Sequence, residues 1–214
     1  KTEKMVTSYY FGQGLTKATA EELLDIPWLV HLKKIEDKVH LTRNGNATPK
    51  TVLNSNSKNK NAKEPDLIAY DKKIIPHAFE AKASSVGYRS STMQKAINQV
   101  SQVMHINGEP PETKVACYFD MSSNIHGKIK DPSEEGGVGI EFKLEEYFKA
   151  YYSFFISEYF LENNFEYKTH DKDFQVVEIQ LNDILVLYGI EQVFLEMVLN
   201  NEKQQIFQRA SEFK

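Results

Sequence analysis

The chain's clearest chemical potential lies in two carboxylates and a lysine: Asp66, behind Pro65, and the run Glu80-Ala81-Lys82. Residues 67–70 read as a strand, Asp71-Lys72-Lys73 as a polar turn, and about 74–83 as a second strand. Side chains two apart on a strand share a face, so Glu80 and Lys82 project together while Ile75, Phe79, Ala81 and Ala83 go to the other side. That other face is apolar apart from His77 and belongs in the core, so the charged pair must line a cleft or face solvent. If an odd number of residues loops between the strands, Asp66 falls on the face of Glu80, directly opposite it or one pair along. Directly opposed side chains have Cβ atoms about 4.5–5.5 Å apart. Two carboxylates that close repel unless something positive sits between them. A hard divalent cation suits them: Mg²⁺ binds one or two carboxylates and keeps several waters, and Mn²⁺ can substitute. Lys82 could orient or deprotonate a metal-bound water, and the chemistry to expect is metal-assisted hydrolysis of a phosphodiester.

Pro65-Asp66 followed by Glu80-Ala81-Lys82 in such a hairpin resembles the PD-(D/E)XK nuclease superfamily, which includes many restriction endonucleases. The resemblance covers about residues 16–120. It implies an α/β fold of the restriction-endonuclease type, a mixed β-sheet flanked by helices in the order helix, three-stranded meander, helix, strand. It would make Asp66 and Glu80 metal ligands, add the Ala81 carbonyl as a further ligand, and leave Lys82 to position the water. Members often take one more acidic ligand from the first core helix, where Glu21 and Glu22 are available and Glu21 is favoured. The helix after the catalytic strand often lends a polar side chain, which makes Arg89, Gln94 and Gln99 the substrate-side candidates. The implied activity is that of a Mg²⁺-dependent DNA endonuclease of restriction or defence type, acting on double-stranded DNA. The alternative is a catalytically inactive nuclease-like fold that binds nucleic acid or protein. All three motif residues are present, which a binder would not need.

The elements that must position these residues follow from local signals. A helix is expected to begin near Thr19, with Glu22 completing a capping box and Pro27 limiting its end. Residues 1–15, with Tyr9-Tyr10-Phe11 ahead of Gly12 and Gly14, read as an extended segment or loop whose rings serve packing. Residues 39–42 read as the first meander strand. Residues 43–63 hold six Asn, four Lys and one Arg, too polar to bury. They read as a long loop that reaches nucleic acid, with Lys50, Lys58, Lys60 and Lys63 for phosphates. Residues 91–106 show an amphipathic helical stripe, and 114–119 a strand parallel to the catalytic one. The six histidines make no metal-ligand spacing with a second His or with Cys, so no zinc site is expected.

Beyond the core domain, taken as residues 1–140, lies an acidic extension, 141–214, expected to be mostly helical. Residues 144–163 read as one aromatic helix, 174–181 as a strand, and 182–211 as helices interrupted at Gly189. So much apolar surface suggests packing on the core or a homodimer interface.

Composition bounds the rest. The 214 residues carry a net charge of −4, unevenly: 16 Lys+Arg against 10 Asp+Glu up to residue 105, and 10 against 20 after it. A basic front half carrying the motif suits a phosphate-rich partner. The single cysteine, Cys117, allows no internal disulfide and fits a cytoplasmic protein. No apolar stretch is long enough to cross a bilayer, so no membrane partner is expected. The chain opens with Lys1 and not Met, as a piece of a longer protein would.

Overall fold

The computed structural model describes residues 3–38, 40–43, 64–132, 138–169, 171–181 and 183–200. The chain divides into two compact units, Lys1–Lys143 and Leu144–Lys214.

In chain order the first unit contains α1 (Glu3–Leu24), β1 (Trp28–His31), a 3₁₀ stretch (Leu32–Lys38), β2 (His40–Arg43), β3 (Leu67–Tyr70) and β4 (Pro76–Ser84). There follow α2 (Ser90–Ser101), β5 (Val103–Ile106), β6 (Thr113–Asp120), β7 (His126–Lys130) and β8 (Val138–Glu141). Five strands form a mixed sheet in the order β1-β3-β4-β6-β7. Only β4 and β6 run parallel, and α2 is the helix in the crossover between them. A small second sheet has the order β2-β8-β5.

Strand alternation builds the core. Leu67 and Ala69 of β3, Phe79 and Ala81 of β4, and Val115, Cys117 and Phe119 of β6 point to one face, where they meet Ala20 of α1, Ile26 and Leu29. Cys117 is buried there, which pushes its thiol up to about 12. The helix α2 packs on the same two central strands but takes no part in that cluster, so it covers the opposite face with Met93, Ala96 and Val100.

Three expectations for this unit need correction. Residues 3–15 are helix, not an extended segment, and Thr19 is a buried mid-helix residue rather than an N-cap. The buried stripe of α1 is Ser8, Gly12, Thr16, Thr19 and Ala20, so small and polar that it leaves no apolar period to read. Small side chains let the helix lie close to the sheet: a Cβ on Gly12 would stand 2.8 Å from Ala83 Cβ. The first meander strand is β1, whereas residues 40–43 pair with β8 in the second sheet. Finally, α2 stops at Ser101; Val103 and Ile106 continue its three-residue spacing but are buried in β5, which pairs with β8.

The second unit is not mostly helical. It contains α3 (Leu144–Tyr151), α4 (Glu158–Asn163), β9 (Phe165–Lys168), β10 (Asp173–Leu181), β11 (Ile184–Glu191) and α5 (Gln192–Asn200). The aromatic segment is two short helices, the second capped by Ser157, whose Oγ accepts the Phe160 N–H at 3.3 Å. The strand expected at 174–181 is β10, paired on both sides in the order β11-β10-β9. Residues 184–191 are strand because Ile184, Val186 and Tyr188 share the face that Ile179 and Val177 present across the pair.

Gly189 does not break a helix; it sits opposite Val176 in the ladder. A Cβ there would meet Val176 Cγ1 at 2.4 Å and Gln175 O at 2.6 Å. Gly189→Ala is expected to destabilise this unit by about 1–3 kcal/mol, as overpacking against backbone does. Thermal melting checks this, and an unchanged midpoint would show that the hairpin opens freely there. Among the described residues no helix is long and apolar enough to cross a membrane.

Candidate active site

Five residues, 71–75, separate β3 from β4, and the pairing runs Tyr70↔Pro76, Ile68↔Ala78 and Leu67↔Phe79. The same register places Asp66 directly across from Glu80, on the face that Lys82 shares. The main chain locks this corner. The Asp66 carbonyl accepts the Leu32 N–H at 2.9 Å, and the Asp66 N–H donates to Glu80 Oε2 at 2.8 Å. Lys82 Nζ donates to Asp66 Oδ2 at 3.3 Å and also to Glu80 Oε1, so one ammonium bridges both carboxylates.

Glu80 neither lines an open cleft nor faces solvent; its side chain is 0% exposed, against 21% for Asp66 and 25% for Lys82. Burial, and then the neighbouring Asp66 charge, push its carboxyl up to about 7 against the opposing pull of Lys82. Burial alone would lower the Lys82 ammonium, but Glu80 and Asp66 outweigh it and hold its proton more firmly than usual. The site is therefore two carboxylates with a strong demand for positive charge, graded from buried to partly exposed.

Helix α1 and strand β1 bring Tyr9 and His31, to which no local motif assigns chemistry, within the electrostatic reach of Asp66. His31 ends β1 opposite Leu67, one position from Asp66. The Tyr9 hydroxyl and His31 Nε2 lie 2.6 Å apart. The Lys33 N–H donates to His31 Nδ1 at 3.0 Å, which fixes the neutral ring with its hydrogen on Nε2. Nε2–H therefore donates to the Tyr9 oxygen, and the hydroxyl hydrogen of Tyr9 is left to point elsewhere. Burial lowers His31, against the pull of Asp66. Burial and then Asp66 raise the Tyr9 hydroxyl. Gln13, one turn on from Tyr9, opposes that rise through its side-chain amide. The signal that could have found them is the spacing of four between Tyr9 and Gln13, legible only once residues 3–15 are known to be helical.

The remaining site expectations fare unevenly. Ala81 sends its side chain into the core cluster, which leaves only its backbone as a possible ligand. Glu21 is exposed and does not join the cluster. Gly12 marks where α1 passes Lys82 and Ala83, and nine residues of helix carry Glu21 about 14 Å beyond it. It lies toward the hairpin turn, where Asp25 bonds Lys72 at 2.8 Å. Gln99 reaches the corner: its Nε2 donates to the Glu64 carbonyl at 3.2 Å. Gln94 donates instead to Asn98 on the exposed side of α2, and Arg89 is an exposed residue just ahead of that helix. Lys50, Lys58, Lys60 and Lys63 lie outside the described residues.

Comparison of the chain with family models, with curated proteins and with solved structures found no match.

Proposed function

We propose that this protein is a divalent-metal-dependent nuclease of the restriction-endonuclease-like type, hydrolysing DNA phosphodiester bonds at Asp66, Glu80 and Lys82. The observation that carries the reading is the direct opposition of Asp66 and Glu80 with Lys82 bridging them. The order α1, three antiparallel strands, α2 and parallel β6 around that corner supports it, being the core that the motif implies.

The residues fit a Mg²⁺ ion on the chemistry of their donors: two all-oxygen groups forced together, whose mutual repulsion a divalent cation would relieve beyond what the single Lys82 ammonium supplies. Asp66 and Glu80 would hold the ion, with the Ala81 carbonyl as a further oxygen. Such an ion supplies positive charge to a phosphoryl group and lowers the pKa of water. Lys82 serves as a cation rather than a base, because its proton is held above the usual lysine range. It can steady a non-bridging phosphate oxygen or orient the attacking water. Because Glu80 is sealed from solvent, its interactions with Lys82 and with an ion are screened less than those of an exposed carboxylate. The basic balance of residues 1–105 supports a nucleic-acid substrate.

Tyr9 feels the charges of both Asp66 and Lys82 and keeps a hydroxyl hydrogen that His31 does not take. Tyr9→Phe is expected to lower kcat about 10- to 100-fold with little change in KM, the loss of one hydrogen bond to a charged oxygen. Steady-state kinetics check this; an unchanged kcat would assign the Tyr9–His31 pair to stability alone.

The reading is tested by incubating the protein with plasmid and with single-stranded DNA in Mg²⁺, in Ca²⁺ and in EDTA. Cleavage in Mg²⁺, little in Ca²⁺ and none in EDTA is the expected pattern. Binding of DNA without cleavage in either metal would move the protein to the non-catalytic alternative.

A further inference from the structure

The far end of the same hairpin carries a second constellation, formed where the chain turns between β3 and β4. Asp71 lies in the turn, His77 near the start of β4, and Glu112 immediately before β6. One ligand atom from each lies within 4.8 Å of the other two. The sheet fixes all three. His77 is the register partner of Thr113, and the Glu112 N–H donates to the Pro76 carbonyl at 2.9 Å. Asp71 Oδ1 accepts the N–H groups of Lys73 at 2.9 Å and Ile75 at 2.8 Å, which anchors its carboxylate and leaves Oδ2 for another partner.

His77 supplies the independent sign of a ligand. It is 4% exposed, its Nδ1 lies 2.9 Å from Thr113 Oγ1, and its Nε2 is buried with no hydrogen-bond partner. A buried ring nitrogen without a partner is costly and uncommon. With Nδ1–H donating to the threonine, Nε2 presents a bare lone pair, the orientation that metal-binding imidazoles owe to an outer hydrogen bond. Burial lowers the affinity of this imidazole for a proton, against the pull of Asp71 and Glu112, and favours the neutral form that a metal needs.

We propose that Asp71, His77 and Glu112 form a second metal site, one that takes a borderline divalent cation of the Zn²⁺ type and staples the β3–β4 turn to the start of β6. One imidazole and two carboxylates are ligands for Zn²⁺ rather than for Mg²⁺, which prefers oxygen alone. Ligand atoms around tetrahedral Zn²⁺ stand about 3.3 Å apart, so the three groups close by an ångström or so on binding. The expectation that no zinc site exists weighed only His and Cys partners; here the partners of His77 are carboxylates distant in sequence. The site is separate from the Asp66–Glu80 corner. His77 and Glu80 are three residues apart on β4, about 10 Å of strand, and face opposite sides of the sheet.

The test uses the full chain carrying Glu80→Gln, which disables the other corner, after stripping with EDTA. Calorimetric titration with Zn²⁺ is expected to show one equivalent bound, with a melting temperature that rises with Zn²⁺ concentration. Adding Glu112→Gln, a change at an exposed side chain that leaves folding intact, should weaken Zn²⁺ at least about tenfold and abolish the thermal shift. His77→Gln should do the same. Absence of saturable Zn²⁺ uptake at micromolar concentration would overturn the proposal, as would uptake unchanged by Glu112→Gln.

Discussion

Lys82→Gln, Asp66→Asn and Glu80→Gln are each expected to lower Mg²⁺-dependent DNA cleavage by at least about 10²–10³-fold, the scale of removing one charge-stabilising group from a transition state. The near-isosteric substitutions matter. Glu80 is fully buried, so replacing it by alanine would leave a void and confuse loss of chemistry with loss of packing. Asn for Asp66 and Gln for Glu80 keep the volume and remove only charge, whereas Lys82→Gln removes the charge at a partly exposed side chain that tolerates the shorter group. Lys82→Gln should retain DNA affinity better than it retains turnover, because one ammonium among many basic groups contributes little to overall attraction. Circular dichroism should show the wild-type fold in all three. Near wild-type turnover in any of them would remove that residue from the catalytic role.

Glu80→Gln should at the same time stabilise the metal-free protein at neutral and alkaline pH. The Glu80 carboxyl is lifted from 4.5 to about 7, first by burial and then by Asp66. A carboxyl whose pKa is raised on folding binds its proton more tightly in the folded than in the unfolded chain. Its contribution to stability is therefore fully present below the unfolded value of 4.5 and is lost as pH rises through about 7. The loss has an upper bound on the order of 3 kcal/mol. Lys82, raised from 10.5, stays charged throughout this window and adds no slope of its own. Melting temperatures of the metal-free wild type should thus fall across this range, and Glu80→Gln should flatten the fall. Added Mg²⁺ should offset it in the wild type only. A wild-type profile as flat as that of the variant would mean that the buried carboxylate ionises without penalty.

A buried carboxylate held against a second one is electrostatically strained, so removing its charge is expected to stabilise the fold. The strain is visible because the hairpin's geometry could be read directly from side-chain alternation. An odd turn length and side-chain alternation sufficed to put Asp66 on the face of Glu80, directly opposite it or one pair along. The direct opposition comes from a five-residue turn, 71–75, two residues longer than the polar run 71–73 suggests. The β6 and β10 strands were legible from their own short apolar runs. What escaped was decided by contacts far apart in sequence. The N-terminal helix buries Ser8, Gly12 and Thr16, a stripe set by how closely it approaches Ala83 and not by hydrophobicity. Residues 103–106 look helical until β8 offers them a ladder. Residues 184–191 form a strand because β10 lies beside them, with Gly189 chosen by contact with Val176. Tyr9 and His31 come under the influence of Asp66 only through that unread helix and through β1. Glu21 follows from the resemblance and from a capping role for Glu22. With Thr19 inside the helix that role falls away, and Glu21 is exposed about 14 Å along α1 from where the helix passes Lys82.

Binding of Mn²⁺, followed by electron paramagnetic resonance, tests the pairing of Asp66 and Glu80 most directly, because it needs no substrate and no assumption about sequence preference. The measurement is made on the Glu112→Gln protein, which silences the second site, with and without Glu80→Gln. Saturable binding that Glu80→Gln weakens at least about tenfold is the predicted result. Binding that is equal with and without Glu80→Gln would show that this corner holds no metal, and the nuclease reading would then lose its foundation.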